Sequence, residues 1–227
     1  SELDTTVFEE YMWTAYRSLK NWNYRYDREE IAATLYQFWW TNLYRSIWED
    51  EFDVNYPLDW PSIATTVQIL RDSSEFYFYQ KTGSPTNFDR RRLINEAFDR
   101  LVGELSQEFP DQKDWNWGER KTTNVTHLTR VLKPFSRTGI ITDGIGHVLN
   151  ATTQTHGPSW RMIVELGDTP KAYGVYPGGQ SGNPGNPGYD AFIEKWSVGE
   201  YFQLWRMSSV RDESQDIRGR IAMQGTR

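Results

Sequence analysis

The chain has 227 residues, which is enough for one large domain or two small ones with a buried core. Lys and Arg number 25 against 31 Asp and Glu, and the net charge of -6 argues against a nucleic-acid partner. Cysteine is absent, which excludes disulfides, thiolate metal sites and cysteine nucleophiles. No apolar run approaches the roughly 18 residues that span a bilayer, so we expect no membrane segment.

Aromatic residues are abundant, with 11 Trp, 13 Tyr and 11 Phe making up 15% of the chain. These rings supply apolar area that a sequence poor in Leu and Ile lacks, which favours buried positions for most of them. An aromatic surface that binds carbohydrate or another protein is the alternative interpretation.

The first half of the chain has the periodicity of helices. A helix from about Asp4 to Lys20 is predicted, with Thr6 and Glu9 as a capping box, from apolar residues at Leu3, Val7, Tyr11, Ala15 and Leu19. A second helix follows the cap formed by Asp27 and Glu30, and its apolar face contains Ile31, Leu35, Phe38, Trp39, Leu43 and Ile47.

Two further helices are predicted before residue 110. Pro61 favours the first turn of a short helix that ends at Ser73-Ser74. The next helix runs from Asn87 to Pro110, with its inward face at Leu93, Ala97, Phe98, Leu101 and Leu105. Its early Arg90-Arg91-Arg92 run has two interpretations, which are an acidic partner or a solvated face paired with Asp89 and Glu96.

After about Asp114 the sequence is typical of strands and loops. The alternation from Trp160 to Leu166 predicts a strand with one face in a core, and a second strand over residues 172–176 completes a hairpin. A Gly- and Pro-rich loop covers residues 177–189, before a short helix over residues 189–196. The prediction is an α+β fold with a helical part over residues 1–113 and a strand-bearing part over residues 114–227, packed as one unit.

The sequence lacks the motifs of several common catalytic and binding sites. The loop glycines do not have the spacing of a phosphate-binding loop, and no G-x-S-x-G elbow is present. His127, His147 and His156 are the only histidines and form no H-E-x-x-H pattern, so we expect no metal site. Asp50 and Glu51 fit a solvated surface better than an acid and base pair.

Three stretches in the second half resemble the C-terminal part of the β subunit of the penicillin acylase family of N-terminal-nucleophile hydrolases. Residues 156–167 read HGPSWRMIVELG, residues 174–184 read GVYPGGQSGNP, and residues 115–118 read WNWG ahead of His127-Leu128. The Asp143-Gly144 and Asn150-Ala151 pairs also resemble turns of that family. The resemblance implies that the chain is a fragment of a four-layer αββα fold, with the predicted hairpin inserted in a sheet.

The family's catalytic groups are expected outside this chain. In the family a Ser-Asn-x-Trp start supplies the nucleophile, and its free α-amino group acts as the base. Ser1 is followed by Glu2-Leu3-Asp4, so it is not expected to be that nucleophile. The Asn21-Trp22-Asn23-Tyr24 segment joins two predicted helices, which argues against the oxyanion role that its sequence suggests.

The resemblance also implies partners and a location. The rest of the precursor, which comprises the α chain and the N-terminal part of the β chain, would complete the enzyme and carry any calcium ligands. The substrate would be a small acyl amide, and the full-length bacterial protein would be periplasmic or secreted. This chain by itself is predicted to hydrolyse nothing.

The candidate site residues lie on the hairpin and on the loop after it. Glu165 resembles the acidic residue that holds the active-site histidine in one branch of the family, and the alternative is a strand Glu paired with Arg161. His156 and Arg161 are supporting candidates. Three loop residues either bind a substrate amide or fasten the loop backbone, and these are Gln180, Ser181 and Asn183.

The end of that loop departs from the family pattern, because Asn186, Gly188 and Ala191 stand where the family usually has Ser, His and Asp. The leading function is a fragment of a penicillin-acylase-type amidohydrolase. The alternative is a non-enzymatic, aromatic-rich module that binds carbohydrate or protein.

Overall fold

The computed structural model describes residues 3–52, 58–72 and 90–207, together with 209, 211, 217, 219, 221 and 223–225. The chain divides into two compact units, Ser1–Pro158 and Ser159–Arg227. The division of domains at residues 113 and 114 stays a prediction.

The first unit begins with two short elements in place of the single helix expected from Asp4. A 3-10 turn covers Thr5–Val7, and helix α1 covers Glu10–Lys20. The Asp4 carboxylate accepts from both the backbone and the hydroxyl of Thr6. Thr6 therefore does not cap Glu9, and the predicted continuous helix is wrong because Phe8 and Glu9 have extended backbones.

Three longer helices follow, with bounds close to those predicted. They are α2 at Ile31–Trp48, α3 at Ile63–Asp72 and α4 at Arg90–Glu108. The Glu30 side chain caps α2 by accepting from the Ala32 amide. Ser73, Ser74, Asn87 and Asp89 lie outside the described residues. The described part of the Arg90–Arg92 run includes an ion pair between Arg92 and Glu96.

Aromatic rings fill much of the core of the first unit. Phe98 is fully buried between Phe8 and Trp39, with both ring centroids 5.5 Å away. Trp115 is also buried and donates its indole N–H to the Phe109 carbonyl. Burial of these rings agrees with the core interpretation of the aromatic content. Tyr24 is an exception, because 81% of its surface is exposed.

The rest of the first unit contains short elements. Helix α5 covers Trp117–Lys121, and strands β1 (Thr123–Val125) and β2 (Arg137–Ile140) form an antiparallel pair. None of the described helices is long and apolar enough to cross a membrane.

The second unit contains the predicted hairpin. Strands β3 (Arg161–Glu165), β4 (Lys171–Val175) and β5 (Phe202–Leu204) form an antiparallel sheet in the order β3-β4-β5. Helix α6 covers Ile193–Ser197, so it begins later than the predicted start at Tyr189. The mixed helices and small antiparallel sheets confirm the α+β class.

The prediction that one face of the first hairpin strand lies in a core is wrong for this structure. Met162 is 55% exposed, Ile163 53% and Val164 41%. Strand β3 lies at the edge of the sheet and has only β4 as a partner among the described residues. Alternation of apolar residues therefore does not identify a buried face here.

Replacing Phe98 with Ala tests the aromatic core. We expect Phe98→Ala to lower the free energy of unfolding by about 3–5 kcal/mol, because it opens a cavity beside Phe8 and Trp39. Urea unfolding followed by circular dichroism measures the loss. The control is Phe38→Ala on α2, whose ring is 39% exposed, and we expect a smaller loss there. Equal losses in the two variants would contradict this assignment of the core.

Candidate functional site

The hairpin separates Arg161 and Glu165, which the alternative interpretation of Glu165 treats as a pair. Arg161 opens β3 and lies opposite Val175, whereas Glu165 ends β3 and lies opposite Lys171. Four residues along a strand span about 13 Å, so the two side chains lie too far apart for an ion pair.

Arg161 instead binds the last helix of its own unit. Its Nη1 donates to the Trp196 carbonyl at 2.6 Å, and the guanidinium lies 4.9 Å from the Trp196 ring centroid. The proposed Glu165–Arg161 pair is therefore wrong. The Glu165 side chain is exposed and makes no hydrogen bond or ion pair within the described residues. Its role as an orienting carboxylate stays a prediction.

The Gly- and Pro-rich loop is built from two consecutive turns of the same kind. The Asn183 side-chain oxygen accepts from the Gly185 amide at 2.9 Å, and the Asn186 side-chain oxygen accepts from the Gly188 amide at 2.7 Å. Each turn has the sequence Asn-Pro-Gly, in which Pro fixes one backbone angle and the Asn side chain closes the turn. The Asn-Pro-Gly repeat is the sequence signal of this arrangement.

Further hydrogen bonds close the loop on itself. Ser181 Oγ accepts from the Asn183 amide at 3.1 Å, and the Ser181 amide donates to the Gly188 carbonyl at 3.2 Å. The Tyr176 hydroxyl donates to the Gly179 carbonyl at 3.0 Å. Ser181 and Asn183 therefore fasten the loop, as one of the two interpretations expected.

Gln180 differs from its two neighbours in the candidate set. Its side chain is exposed and has no hydrogen-bond partner within the described residues. Of the three loop candidates, Gln180 is the one whose amide remains available to another molecule.

His156 belongs to the first unit, where it organises a local turn. Its Nδ1 lies 3.0 Å from Thr153 Oγ1 and 3.2 Å from Thr155 Oγ1. The His156 carbonyl accepts from the Thr153 amide. These contacts explain the position of His156 without a ligand, and its predicted supporting role is not tested by them.

The Asn21–Tyr24 segment is a turn between α1 and α2. Asn21 ends α1, and the Asn23 side-chain oxygen accepts from the Arg25 amide at 2.8 Å. The Trp22 indole donates to the Arg25 carbonyl. The Asn23 side chain is therefore used within the turn, and Asn21 donates its backbone N–H to the Arg17 carbonyl at the end of α1.

Sequence reasoning missed a polar cluster around Asp143 in the first unit. Both Asp143 carboxylate oxygens accept from the Arg28 side chain, at 3.0 Å from Nε and 2.9 Å from Nη2. The Arg28 backbone amide donates to the same carboxylate at 2.8 Å. The Asp-Gly dipeptide signals a turn at this place, but nothing in the sequence indicates a partner 115 positions away.

Lys121 adds a second cation to the Asp143 cluster. Its ammonium, with three N–H donors, lies within hydrogen-bond distance of four oxygens, which are Thr142 Oγ1, Thr152 Oγ1 and the carbonyls of Asp143 and Gly144. With its hydrogen bonds directed to these oxygens, the ammonium fastens the Asp143-Gly144 turn to the segment around Thr152.

The turn at Gly144 requires glycine. Gly144 has a φ of +88°, and a Cβ there would lie 2.0 Å from the Asn150 carbonyl oxygen. The Gly144 amide donates to the Tyr26 carbonyl, and the Gly144 carbonyl accepts from the Trp117 indole. The Asn150 side-chain amide donates to the Asp143 carbonyl at 3.0 Å, which joins the Asp-Gly and Asn-Ala pairs.

Charge interactions hold Asp143 in its ionised form. Burial raises the pKa of Asp143, but the hydrogen bonds from Arg28 and the charges of Arg28 and Lys121 outweigh it and hold the pKa below its ordinary value. The hydrogen bond to Asp143 in turn raises the pKa of Arg28. The cluster therefore stabilises the fold and offers no free acid or base.

A charged groove lies between α2 and α4 and has a volume of about 520 Å³. Ion pairs between Arg45 and Glu49 and between Arg92 and Glu96 line it. Both pairs are exposed, so each contributes little stability. No three His, Asp or Glu side chains in the described part of the chain could hold a metal ion.

The chain matches the family model described as penicillin amidase over residues 3–212, and it belongs to that family. It is 28% identical to the acyl-homoserine lactone acylase QuiP of Pseudomonas syringae pv. tomato over 154 residues, which cover 59% of this chain and 18% of that protein. It is 24% identical to QuiP of Pseudomonas fluorescens over 212 residues, which cover 84% of this chain and 25% of that protein. The chain thus spans about a quarter or less of these relatives.

Replacing Asp143 with Asn tests the Asp143 cluster. The pKa of Asp143 is lower in the folded chain than its unfolded value of about 3.9, so its stabilising effect is complete above that value. The effect is lost as the pH falls through the folded pKa. We expect Asp143→Asn to cost about 1–3 kcal/mol at pH 7 and less at pH 3, which lies below the unfolded pKa.

Urea unfolding of both proteins at the two pH values measures this difference. The control is Asp99→Asn, because Asp99 is exposed on α4. A cost for Asp143→Asn that did not change with pH would contradict the charge-based account.

Replacing Gly179 with Ala tests the packing of the loop. A Cβ on Gly179 would lie 2.0 Å from the Gly188 carbonyl oxygen, so the two loop segments must separate. We expect Gly179→Ala to destabilise the loop by about 1–3 kcal/mol and to speed its cleavage by a nonspecific protease. Gly182→Ala is the matched control, since a Cβ there meets nothing within 4 Å. Equal cleavage of both variants would contradict the described contact.

Proposed function

We propose that this chain is the C-terminal part of a penicillin-amidase-type amidohydrolase of the N-terminal-nucleophile class. The observation that carries the proposal is the family match over residues 3–212, in a chain that spans about a quarter or less of its curated relatives. In this proposal the β3–β4 hairpin is part of a larger αββα sheet arrangement, and the rest of the precursor supplies the remaining strands.

The reaction in this proposal is hydrolysis of a linear amide. A serine hydroxyl outside this chain attacks the amide carbonyl, while the free α-amino group of that serine accepts the hydroxyl proton. The protonated α-amino group returns this proton to the amide nitrogen, so that the amine leaves as the tetrahedral intermediate collapses to an acyl-enzyme ester. Water then attacks the ester, which releases the acid and restores the serine hydroxyl. Hydrogen-bond donors outside this chain stabilise the oxyanion.

Gln180 is the residue of this chain that we propose to contact the substrate. Ser181 and Asn183 use their side chains to hold the loop, whereas the Gln180 amide is exposed. An amide group both donates and accepts, so it can pair with a substrate amide. Glu165 is proposed as a carboxylate that orients an active-site histidine, since it is exposed at the end of β3 with no described partner.

The substrate class that we propose is an N-acyl amide such as an acyl-homoserine lactone. The curated relatives carry the name acyl-homoserine lactone acylase, and this name is the support for that choice. We further propose that the full-length protein is periplasmic or secreted, that calcium binds outside this chain, and that the remainder of the precursor is its partner.

The isolated chain is expected to hydrolyse nothing, because the proposed mechanism needs a nucleophile and oxyanion donors that it assigns elsewhere. Losing a single oxyanion donor already costs on the order of 10²-fold in rate. The purified chain is incubated with N-acyl homoserine lactones and with a chromogenic phenylacetyl amide. Flat rates are the expected result for the chain and for its Ser1→Ala and Glu165→Ala variants.

Measurable hydrolysis by the isolated chain would contradict the proposal that the nucleophile lies outside it, and the two variants would show which residue is responsible. Turnover that disappears in Ser1→Ala would make Ser1 the nucleophile, and turnover lost only in Glu165→Ala would indicate another mechanism. In the complete enzyme, after processing has freed the α-amino group of the serine, we expect Gln180→Ala to raise KM by about tenfold, in keeping with one lost hydrogen bond. An unchanged KM would remove Gln180 from the substrate site.

A further inference from the structure

The Lys121 ammonium lies in a cage of oxygen atoms inside the first unit. Two of them are the hydroxyl oxygens of Thr142 and Thr152, and two are the backbone carbonyl oxygens of Asp143 and Gly144. All four oxygens lie between 2.5 and 3.2 Å from Nζ. Both threonines are fully buried, so their hydroxyls are shielded from water. Four oxygens thus converge on one positive charge.

Contacts that do not involve Lys121 hold these oxygens in position. Thr152 Oγ1 donates its proton to the Asp143 carbonyl, so the lone pairs of this hydroxyl are left to accept from a cation. The Gly144 carbonyl also accepts from the Trp117 indole at 2.8 Å. We therefore expect the oxygen cage to persist when the ammonium is removed.

The ligands of this cage are typical of a monovalent cation. Backbone carbonyl oxygens replace the water shell of potassium in selective channels, whereas calcium and magnesium favour carboxylate ligands. None of the four oxygens belongs to a carboxylate, and the Asp143 carboxylate is held by Arg28. The centroid of the Trp117 ring lies 5.8 Å from Nζ, and an aromatic face also attracts a cation. An uncharged set of oxygens beside an aromatic ring fits a singly charged ion.

We infer that the four oxygens form a binding site for a monovalent cation, which Lys121 fills with an ammonium attached to the chain. Removing this ammonium leaves buried hydroxyls and carbonyls without one of their donors, which destabilises the fold. A potassium ion, which is close in size to an ammonium ion, can then take its place among the same oxygens. The inference concerns the first unit alone and does not rest on the proposed hydrolase function.

Rescue of Lys121→Ala by potassium tests the inference on the full chain. We expect this variant to have a lower Tm than the unchanged chain. Potassium chloride is expected to raise its Tm by about 2–4 °C more than tetramethylammonium chloride at the same ionic strength, because tetramethylammonium screens charge equally but is too large for the cage. A shift of this size corresponds to a roughly fivefold excess of cation over its dissociation constant. The rise is expected to saturate, since a single site fills.

Two controls separate binding in the cage from a general effect of salt. In the unchanged chain the Lys121 ammonium occupies the site, so the two salts are expected to act alike. Lys113→Ala changes the net charge equally, but it removes an ammonium that pairs with Asp111 on a side chain that is 87% exposed. No potassium-specific rise is expected there. An equal potassium-specific rise in either control, or none in Lys121→Ala, would overturn the inference.

Lys121→Met extends the test to the case in which the alanine variant does not fold. Methionine retains most of the apolar stem of lysine and lacks the ammonium, so less packing is lost. We expect potassium chloride, and not tetramethylammonium chloride, to raise the folded fraction of this variant measured by circular dichroism in urea. Failure of both variants to fold at any potassium concentration would show that the inference is wrong.

Discussion

The ion pair between Arg28 and Asp143 is the contact on which the arrangement of the first unit depends. Arg28 lies just before α2, whereas Asp143 lies in the turn after β2. Three hydrogen bonds join these residues, one from the backbone and two from the side chain of Arg28. The pair therefore fixes the helical layer against the segment that contains α5, β1 and β2, and packing of aromatic rings completes that attachment.

The same contact shows how a family motif can be structural. The Asp143-Gly144 and Asn150-Ala151 pairs attract attention in the sequence because they resemble family turns. In the fold, their polar groups are used by one another, by Lys121 and by the Trp117 indole. A cluster whose charges compensate one another stabilises the fold. Catalysis or substrate binding requires a polar group that is not already used by such contacts. By that criterion, Gln180 and Glu165 remain the candidates.

Sequence patterns predicted the parts of this fold that local rules determine. The bounds of α2, α3 and the hairpin follow from periodicity, caps and turn residues, which act over a few positions. The sequence does not predict the break at Phe8, because the Asp4 carboxylate accepts hydrogen bonds from the amide and the hydroxyl of Thr6. The capping-box pattern of Thr6 and Glu9 gives no sign of this contact. The Arg28–Asp143 pair and the exposure of β3 could not be predicted, since both depend on which distant segments come together.

The Gly- and Pro-rich loop has a chemical property that follows from its two turns. Asn183 and Asn186 are each followed by proline, so neither precedes a backbone N–H. Asparagine deamidates when the nitrogen of the next residue, after losing its proton, attacks the side-chain amide and closes a succinimide ring. Proline lacks that proton, and the turns also hold both amide oxygens on glycine N–H groups. The loop thus combines two exposed asparagines with resistance to the reaction that commonly ages such residues in proteins.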